Sequence, residues 1–213
     1  MQQLPLDISP ATQPSFENFV AGANAEALAR VRALAEGSLR EAVVYLWGEP
    51  GSGRSHLLGA AQRASPNLVV LDDVESLDAR GQQDLFAAIN AARDGGAGVL
   101  AAGAAPPPQL PLREDLRTRL AWGLVYHLKP LAEAEKIEHL QREAARRGLE
   151  LDDEVTAWLL ARLPRDLGSL VRALEALDRH ALARKRPLTL ALVREVLAAS
   201  NEGAQLSRQS PAG

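Results

Sequence analysis

The hydrophobic pattern changes character about two thirds of the way along the chain. Before residue 131, short β-branched and apolar runs, each typical of a buried strand, alternate with longer amphipathic segments. The four predicted strands cover residues 42–47, 68–71, 98–102 and 124–128. The predicted helices cover residues 24–35, 55–64 and 82–93. Because strands and helices alternate, the pattern predicts an α/β fold with a parallel sheet and helices on both faces.

From residue 131 onward the strand-like runs stop and the apolar residues recur at helical spacing. Three or four helices are predicted here, over about residues 132–147, 152–163, 166–184 and 189–200. Asn24, Asp152 and Thr189 occupy N-cap positions, and Gly148 a C-cap position. The chain therefore divides into a flexible arm, an α/β core, a small all-helical domain and a disordered tail. Their predicted bounds are residues 1–15, 16–130, 131–200 and 201–213.

Composition narrows the function classes. The formal net charge is -3, which does not match the basic surface of a strong DNA-binding protein. The chain has no cysteine, so disulfides and thiolate metal sites are excluded, and its four histidines are too scattered to suggest a metal site. No apolar run has the length of a transmembrane helix, and the N-terminus lacks a signal peptide pattern. We therefore expect a cytoplasmic protein.

A glycine-rich turn joins the first predicted strand to the next helix. Residues 48–55, with the sequence GEPGSGRS, fit the phosphate-binding pattern GxxxxGK[ST] except that Arg54 replaces the lysine. In such a cradle the backbone N–H groups and the helix N-terminus face phosphate oxygens, and Ser55 can offer its hydroxyl to Mg²⁺. Arg54 keeps the positive charge, but its planar guanidinium is suited to binding more than to efficient hydrolysis.

An acidic pair, Asp72 and Asp73, ends the second predicted strand. Proteins with a phosphate-binding loop place there the carboxylates that handle Mg²⁺. We expect Asp72 to hold the metal through water and Asp73 to orient the attacking water. The alternative is that the two residues only terminate the strand.

Several segments together resemble the bacterial replication initiator DnaA and its shorter relative, the DnaA regulatory inactivator Hda, which are AAA+ proteins. Residues 15–24, SFENFVAGAN, are similar to the box that helps to hold adenine. Residues 45–58 resemble the inactivator's own cradle, arginine included, and residues 116–124, LRTRLAWGL, resemble the box with the arginine finger. Residues 131–200 resemble the AAA+ lid. The resemblance implies an AAA+ module with a shortened parallel sheet, followed by a helical lid.

The resemblance also implies ligands and site residues. The cofactors are ADP or ATP, with Mg²⁺ held by Ser55 and Asp72. Asp73 and Arg119 are the implied catalytic residues, and Arg119 would act as an arginine finger in trans. The implied nucleotide-binding residues are Phe16, Asn18, Gly48, Pro50, Gly51, Ser52, Gly53, Arg54, Ser55, His56 and Arg165.

The sequence leaves open which arginine would act as the finger. Arg117 is a competing finger, and Arg119 could instead be a surface residue paired with Glu114 or Asp115. Among the aromatic residues, Trp122 follows the arginine box and could shape a partner surface. The remaining large aromatic residues fall on apolar faces and are expected in the core, namely Trp47, Phe86 and Trp158.

The N-terminal arm carries a further motif. Gln3, Leu4 and Leu6 lie in the segment QLPLDI, which resembles the short bacterial motif that docks into the sliding clamp. In an extended peptide, the two leucines would fill pockets and Gln3 would form hydrogen bonds. The chain has no counterpart of the initiator's N-terminal or helix-turn-helix domain, which favours the inactivator. We therefore expect DnaA and the DNA polymerase III sliding clamp as partners, without sequence-specific DNA binding or membrane binding.

Three departures from the family pattern concern the sheet and the sensors. The stretch between the cradle helix and Asp72 is too short for the extra strand and crossover helix that the family has there, so one edge strand should be missing. Ala104 stands where AAA+ ATPases place a polar sensor, and Gly168 falls near the expected lid arginine, with Arg165 as a substitute one helical turn earlier. Together with Arg54, these departures predict a protein that holds nucleotide, with ADP favoured, and hydrolyses its own ATP slowly.

The predicted function is negative regulation of replication initiation. Tethered to the DNA-loaded clamp, the protein would supply Arg119 to the ATP bound by DnaA and trigger its hydrolysis. One alternative is a helicase loader or initiator-like ATPase that acts on its own nucleotide, which intact sensors would favour. Another is an adaptor that bridges clamp and partner, with the nucleotide as a structural ligand. Nucleotide-dependent self-association is a further open point.

Overall fold

The computed structural model describes residues 13–163, 166–184 and 190–195, of which 182–184 are described by their backbone alone. The chain divides into two compact units, and the boundary along the sequence lies between Leu131 and Ala132. The first unit contains a four-stranded sheet with the order β2-β3-β1-β4, in which every pair is parallel. Its strands are β1 (Val43–Trp47), β2 (Val69–Leu71), β3 (Val99–Gly103) and β4 (Leu124–His127). The predicted parallel α/β fold is therefore confirmed.

The sheet is short at one edge, as the sequence predicts. The three-residue strand β2 lies at the end of the strand order and pairs with β3. The preceding helix ends at Ala64, which leaves residues 65–68 as the connection to β2. A connection of this length cannot hold another strand with its crossover helix, because such a crossover takes a dozen or more residues.

Four helices flank this sheet, and three of them were predicted. They are α1 (Ala25–Ala35), α2 (Arg54–Ala64), α3 (Ala79–Arg93) and α4 (Glu114–Ala121). The unpredicted helix, α4, has the polar sequence EDLRTRLA and buries only Leu116 and Leu120. Two apolar residues four positions apart give too weak a period to be recognised from sequence alone.

The central strands β1 and β3 are buried on both faces, whereas the edge strand β4 leaves Val125 37% exposed. Val44 and Leu46 of β1 pack with α1 and α2, whereas Val43 and Tyr45 point to the opposite face and pack with residues of α3 and α4. All four of these β1 residues are at most 4% exposed. A strand that is covered on both sides has no polar face, which explains why the predicted strands read as continuous apolar runs.

Asn24 occupies the N-cap position of α1, as predicted. Its side chain makes no capping hydrogen bond. Its amide instead donates to the Lys129 carbonyl at 2.8 Å and accepts from the Lys129 N–H at 2.8 Å. Because Asn24 is buried, a neutral partner that satisfies both its donor and its acceptor is favoured over a single cap bond.

The second unit is helical, with α5 (Glu133–Arg146), α6 (Asp153–Arg162), α7 (Leu167–Arg184) and a helical segment at 190–195. Its core includes Leu140, Leu159, Leu170, Leu177 and Val193. The predicted cap of α6 is confirmed, since the Asp152 carboxylate accepts from the Val155 N–H at 2.7 Å. Gly148 follows α5 with a φ of +71°, and the predicted cap Thr189 lies outside the described residues. Within the described ranges, no helix is long and apolar enough to cross a membrane.

Candidate functional site

The glycine-rich turn forms a closed loop between the end of β1 and the start of α2. Gly51 and Gly53 have φ angles of +83° and +97°, which other residues rarely adopt. Gly48 is buried, and a Cβ atom there would meet the Leu128 carbonyl oxygen and lie 2.9 Å from Ser52 Oγ. Pro50 lies exposed at the tip of the loop. The glycines therefore allow the backbone to close in on itself where the phosphate-binding pattern requires it.

Two buried polar atoms at this loop lack a hydrogen-bond partner. Ser52 Oγ and Arg54 Nη1 are both buried and make no hydrogen bond. Unsatisfied buried donors of this kind are rare in native proteins and call for a ligand or ion. Because both can donate to anionic oxygen, and because α2 begins at Arg54, the residues present fit the phosphates of a nucleotide.

The acidic pair at the end of β2 meets the start of α2. The Ser55 hydroxyl donates to Asp72 Oδ2 at 2.6 Å, so the two predicted Mg²⁺ residues lie together. Asp73 follows with a left-handed φ of +46° and lies 3.7 Å from Arg54 Nη1. In the part of the chain that the structure describes, no three His, Cys, Asp or Glu residues are grouped to hold a metal ion. A Mg²⁺ ion held by Ser55 and Asp72 would need its other oxygen ligands from nucleotide and water.

Glu75 was not selected from the sequence, although it is one of the polar groups at this edge. Its Oε1 accepts from the Ala104 N–H at 3.1 Å, while its Oε2 is buried without a partner. Gly103 makes room for this carboxylate, since a Cβ atom there would lie 2.8 Å from Oε2. Burial, and secondly the Glu75 carboxylate, raise the pKa of the Tyr45 hydroxyl, which donates to the Ala105 carbonyl at 2.8 Å. An acidic residue two positions after Asp73 was the available signal.

The predicted adenine box folds against the cradle through Phe19. A Cβ atom on Gly53 would lie 2.7 Å from the Phe19 ring, and the ring lies 5.5 Å from that of His56. The box's two predicted residues contact other groups, since Phe16 is buried under the Arg32 guanidinium and Asn18 has local hydrogen bonds. His56 Nε2 lies 3.0 Å from the Ser15 carbonyl oxygen. The contacts of Phe16, Asn18 and His56 thus fix the segment, and their role toward adenine stays a prediction.

The two residues at the expected sensor positions, Ala104 and Gly168, bring no polar side chain. Ala104 comes directly after β3 and is exposed, so its side chain brings no polar group to this edge. Gly168 is the second residue of α7 in the helical unit. Gln3, Leu4, Leu6 and Arg165 lie outside the described residues.

The arginine box forms α4 and the residues directly after it. The Arg119 guanidinium lies 4.2 Å from the centre of the Trp122 ring and 5.1 Å from that of Phe86. Across residues 13–163, 166–184 and 190–195, Arg119 makes no ion pair with a carboxylate, and Asp115 is paired with Arg113 at 2.6 Å. The alternative in which Glu114 or Asp115 neutralises Arg119 is therefore not what this structure contains. Together these side chains line a groove of about 640 Å³.

Arg117, the competing finger, is held differently. Its Nη1 donates to the Pro108 carbonyl at 3.1 Å, which ties the side chain to the loop before α4. Among the described residues, the Arg119 guanidinium contacts the aromatic faces of Phe86 and Trp122, and these contacts leave its N–H donors available. The two guanidinium groups therefore differ in their surroundings, and the role of either as an arginine finger stays a prediction.

The cradle and the residues directly after α4 lie at opposite ends of the strands, the cradle at their carboxyl ends and Trp122 and Gly123 at their amino ends. The cradle follows Trp47 at the carboxyl end of β1, whereas Gly123, directly after Trp122, packs against the Val43 backbone at the amino end. β4 begins beside Val44, which fixes the same register. Since a strand rises about 3.3 Å per residue, the two ends of β1 are about 13 Å apart.

Known proteins are similar to this chain in both of its units. The model of the Hda lid domain matches residues 133–197, which belong to the helical unit. An uncharacterised protein of Haemophilus influenzae is 32% identical over 231 aligned positions, covering 92% of this chain and 98% of that protein.

Two solved structures share the fold at lower identity. Domain III of the Thermotoga maritima replication initiation protein DnaA is 21% identical, with a TM-score of 0.71, over 90% of this chain and 98% of that domain. The replication initiator DnaA bound to AMPPCP and single-stranded DNA is 20% identical, with a TM-score of 0.65, over 92% of this chain and 72% of the other. With its DnaA-like α/β unit and its Hda-type lid, the chain belongs to the Hda/DnaA-related AAA+ proteins.

Proposed function

We propose that this protein is a negative regulator of chromosomal replication initiation that promotes hydrolysis of ATP bound to DnaA. The observation that carries the proposal is the position of Arg119. Its helix ends at the amino ends of the strands, whereas the protein's own cradle lies at their carboxyl ends. Because the two ends of β1 are about 13 Å apart, Arg119 is badly placed to serve a nucleotide in the protein's own cradle. A half-buried arginine that lines an open groove and has no carboxylate partner among the described residues is well placed to serve the nucleotide of another protein.

The chemistry assigned to Arg119 is stabilisation of charge. As the γ-phosphate of DnaA-bound ATP is transferred to water, negative charge grows on its oxygens, and a guanidinium can donate to two of them at once. An arginine finger of this kind accelerates hydrolysis by ~10³–10⁵-fold. One residue therefore suffices to switch the ATP-bound initiator off.

The protein's own nucleotide has a supporting role in this proposal. Ser52 and Arg54, each with a buried polar atom that makes no hydrogen bond, would hold the phosphates. Ser55 and Asp72 would hold Mg²⁺, which neutralises phosphate charge when bound. Asp73 would orient a water molecule, but Arg54 lies only 3.7 Å from it and competes for its carboxylate. We therefore propose ADP as the favoured ligand. The similar DnaA structure that contains AMPPCP, an ATP analogue, supports nucleotide binding at such a cradle without distinguishing ADP from ATP.

The N-terminal arm provides the proposed link to DNA. Gln3, Leu4 and Leu6 would dock into the DNA polymerase III sliding clamp as an extended peptide, so that the protein meets DnaA in the cytoplasm next to clamp-loaded DNA. Tethering raises the local concentration of the partner and needs no DNA-reading domain.

The test is the turnover of DnaA-bound ATP with clamp-loaded DNA present. We expect Arg119→Ala to keep nucleotide binding and clamp binding but to lose stimulation by at least ~10²-fold. Arg119→Lys should also be poor, because one ammonium cannot reproduce the two-pronged contact. Arg117→Ala is the matched control on the same helix and should retain most of the stimulation, since Arg117 is tied to Pro108.

Two results would redirect the proposal. If Arg117→Ala is inactive and Arg119→Ala active, the surface is right and the finger is Arg117. If both variants stimulate hydrolysis like the wild type, the protein is an adaptor that joins clamp and partner without taking part in chemistry.

A further inference from the structure

Trp122 is a large apolar side chain that the core of its unit does not use. It is 53% exposed and directly follows α4. Its backbone is fixed on both sides, because its N–H donates to the Arg119 carbonyl at 3.2 Å and the next residue, Gly123, packs against Val43. The indole is therefore held at a defined place on the surface although little covers it.

Two guanidinium groups lie against this indole. The Arg119 guanidinium lies 4.2 Å from the ring centre and the Arg93 guanidinium 4.5 Å, both within the range of a cation–π contact. Phe86 supplies a second aromatic face to Arg119 at 5.1 Å. Among the residues that the structure describes, neither of these arginines has an ion pair with a carboxylate. Aromatic faces thus hold Arg119 without occupying its N–H donors.

We propose that Trp122 is a positioning residue that holds the Arg119 guanidinium in the orientation needed to meet the γ-phosphate of the partner's ATP. The inference rests on the proposed function of Arg119. A free arginine side chain has many rotamers, and ordering it only at the moment of reaction costs conformational entropy. A carboxylate could order it as well but would compete with phosphate for the same donors. A ring orders it and leaves the donors free.

The first measurement asks whether Trp122 holds Arg119 in the protein alone. Because aromatic rings shift the NMR resonances of groups above them, the Arg119 Nε–Hε signal should be displaced in the wild type and should return toward the value of a free arginine in Trp122→Leu. Arg117 is the matched control, since its guanidinium is bound to the Pro108 carbonyl and its signal should not move. An unchanged Arg119 signal in Trp122→Leu would overturn the inference.

The second measurement asks whether this contact matters for the reaction. DnaA-bound ATP hydrolysis is followed over a range of protein concentrations, which gives a maximal rate and a half-saturating concentration. Trp122→Leu should lower the maximal rate by about 3- to 30-fold, the range implied by the strength of a cation–π contact, and leave half-saturation unchanged. Trp122→Phe, which keeps an aromatic face, should recover part of the loss.

Other outcomes separate this inference from the function on which it rests. If Trp122→Leu raises the half-saturating concentration at an unchanged maximal rate, Trp122 contacts the partner directly and the positioning role is wrong. If Arg119→Ala is inactive and Trp122→Leu behaves like the wild type, the inference fails while the proposed function stands. If Arg119→Ala retains full stimulation, both fail.

Discussion

Replacing Gly53 by alanine should damage the cradle through two separate effects. The φ angle of Gly53 is +97°, and forcing an L-residue into a left-handed conformation costs about 1–2 kcal/mol. The new Cβ atom would also lie 2.7 Å from the Phe19 ring, and overpacking of this kind costs about a further 1–3 kcal/mol. We therefore expect Gly53→Ala to lower the free energy of unfolding by about 2–5 kcal/mol.

Gly95 provides a closely matched control for the first effect. Its φ angle is +93°, and a Cβ atom placed on it would meet nothing within 4 Å. Gly95→Ala should therefore lose only the conformational part, about 1–2 kcal/mol. Urea unfolding followed by circular dichroism measures both variants, and their difference isolates the contact with Phe19.

A double variant completes the test. In Gly53→Ala with Phe19→Ala the ring that the new methyl group meets is gone, so the combined loss should be smaller than the sum of the two single losses by about 1–3 kcal/mol. Equal losses for Gly53→Ala and Gly95→Ala, or purely additive losses in the double variant, would refute the reasoning. In that case the Phe19 ring does not close over the cradle in solution.

Two further predictions concern the nucleotide and the arm. We expect the purified protein to bind ADP more tightly than ATP in calorimetry and to turn over ATP far below the ~10 s⁻¹ typical of enzymes, because Arg54 replaces lysine and Ala104 has no polar side chain. Turnover near that value would instead favour an ATPase that acts on its own nucleotide. We expect the double variant Gln3→Ala, Leu4→Ala to lose capture of the sliding clamp while its melting temperature stays the same. Undiminished capture would contradict the assignment of the arm.

Local patterns made much of the fold predictable from the sequence. The central strands β1 and β3 are buried on both faces, so each appears as an unbroken apolar run. The cradle is predictable for a similar reason, because its strand, its glycines and the start of α2 are contiguous in the chain. The missing edge strand could be foreseen because chain length alone decides it.

Features that depend on distant residues could not be predicted in this way. Asn24 forms its hydrogen bonds with Lys129, 105 residues away, and at short range it looks like an ordinary helix cap. Glu75 matters because Ala104 and Gly103 bring a backbone donor and open space to it, and neither is visible near Glu75 in the sequence. The different surroundings of Arg117 and Arg119 likewise depend on contacts that only the fold creates, with Pro108 for Arg117 and with Phe86 and Trp122 for Arg119.

In the proposed function, Arg54 binds the protein's own nucleotide and Arg119 acts on the partner's ATP, and this difference in role explains why their surroundings differ. If the chemistry takes place on a partner's ATP, the cradle has only to bind, and an arginine at position 54 that lies 3.7 Å from Asp73 can be tolerated there. Arg119 must satisfy the opposite demand, since it has to be reachable from outside and yet ordered before the partner arrives. Burial would order it but hide it, and a carboxylate would order it but occupy its donors. An exposed tryptophan meets both demands, and this gives a physical reason for leaving Trp122 more than half exposed on the surface of the protein.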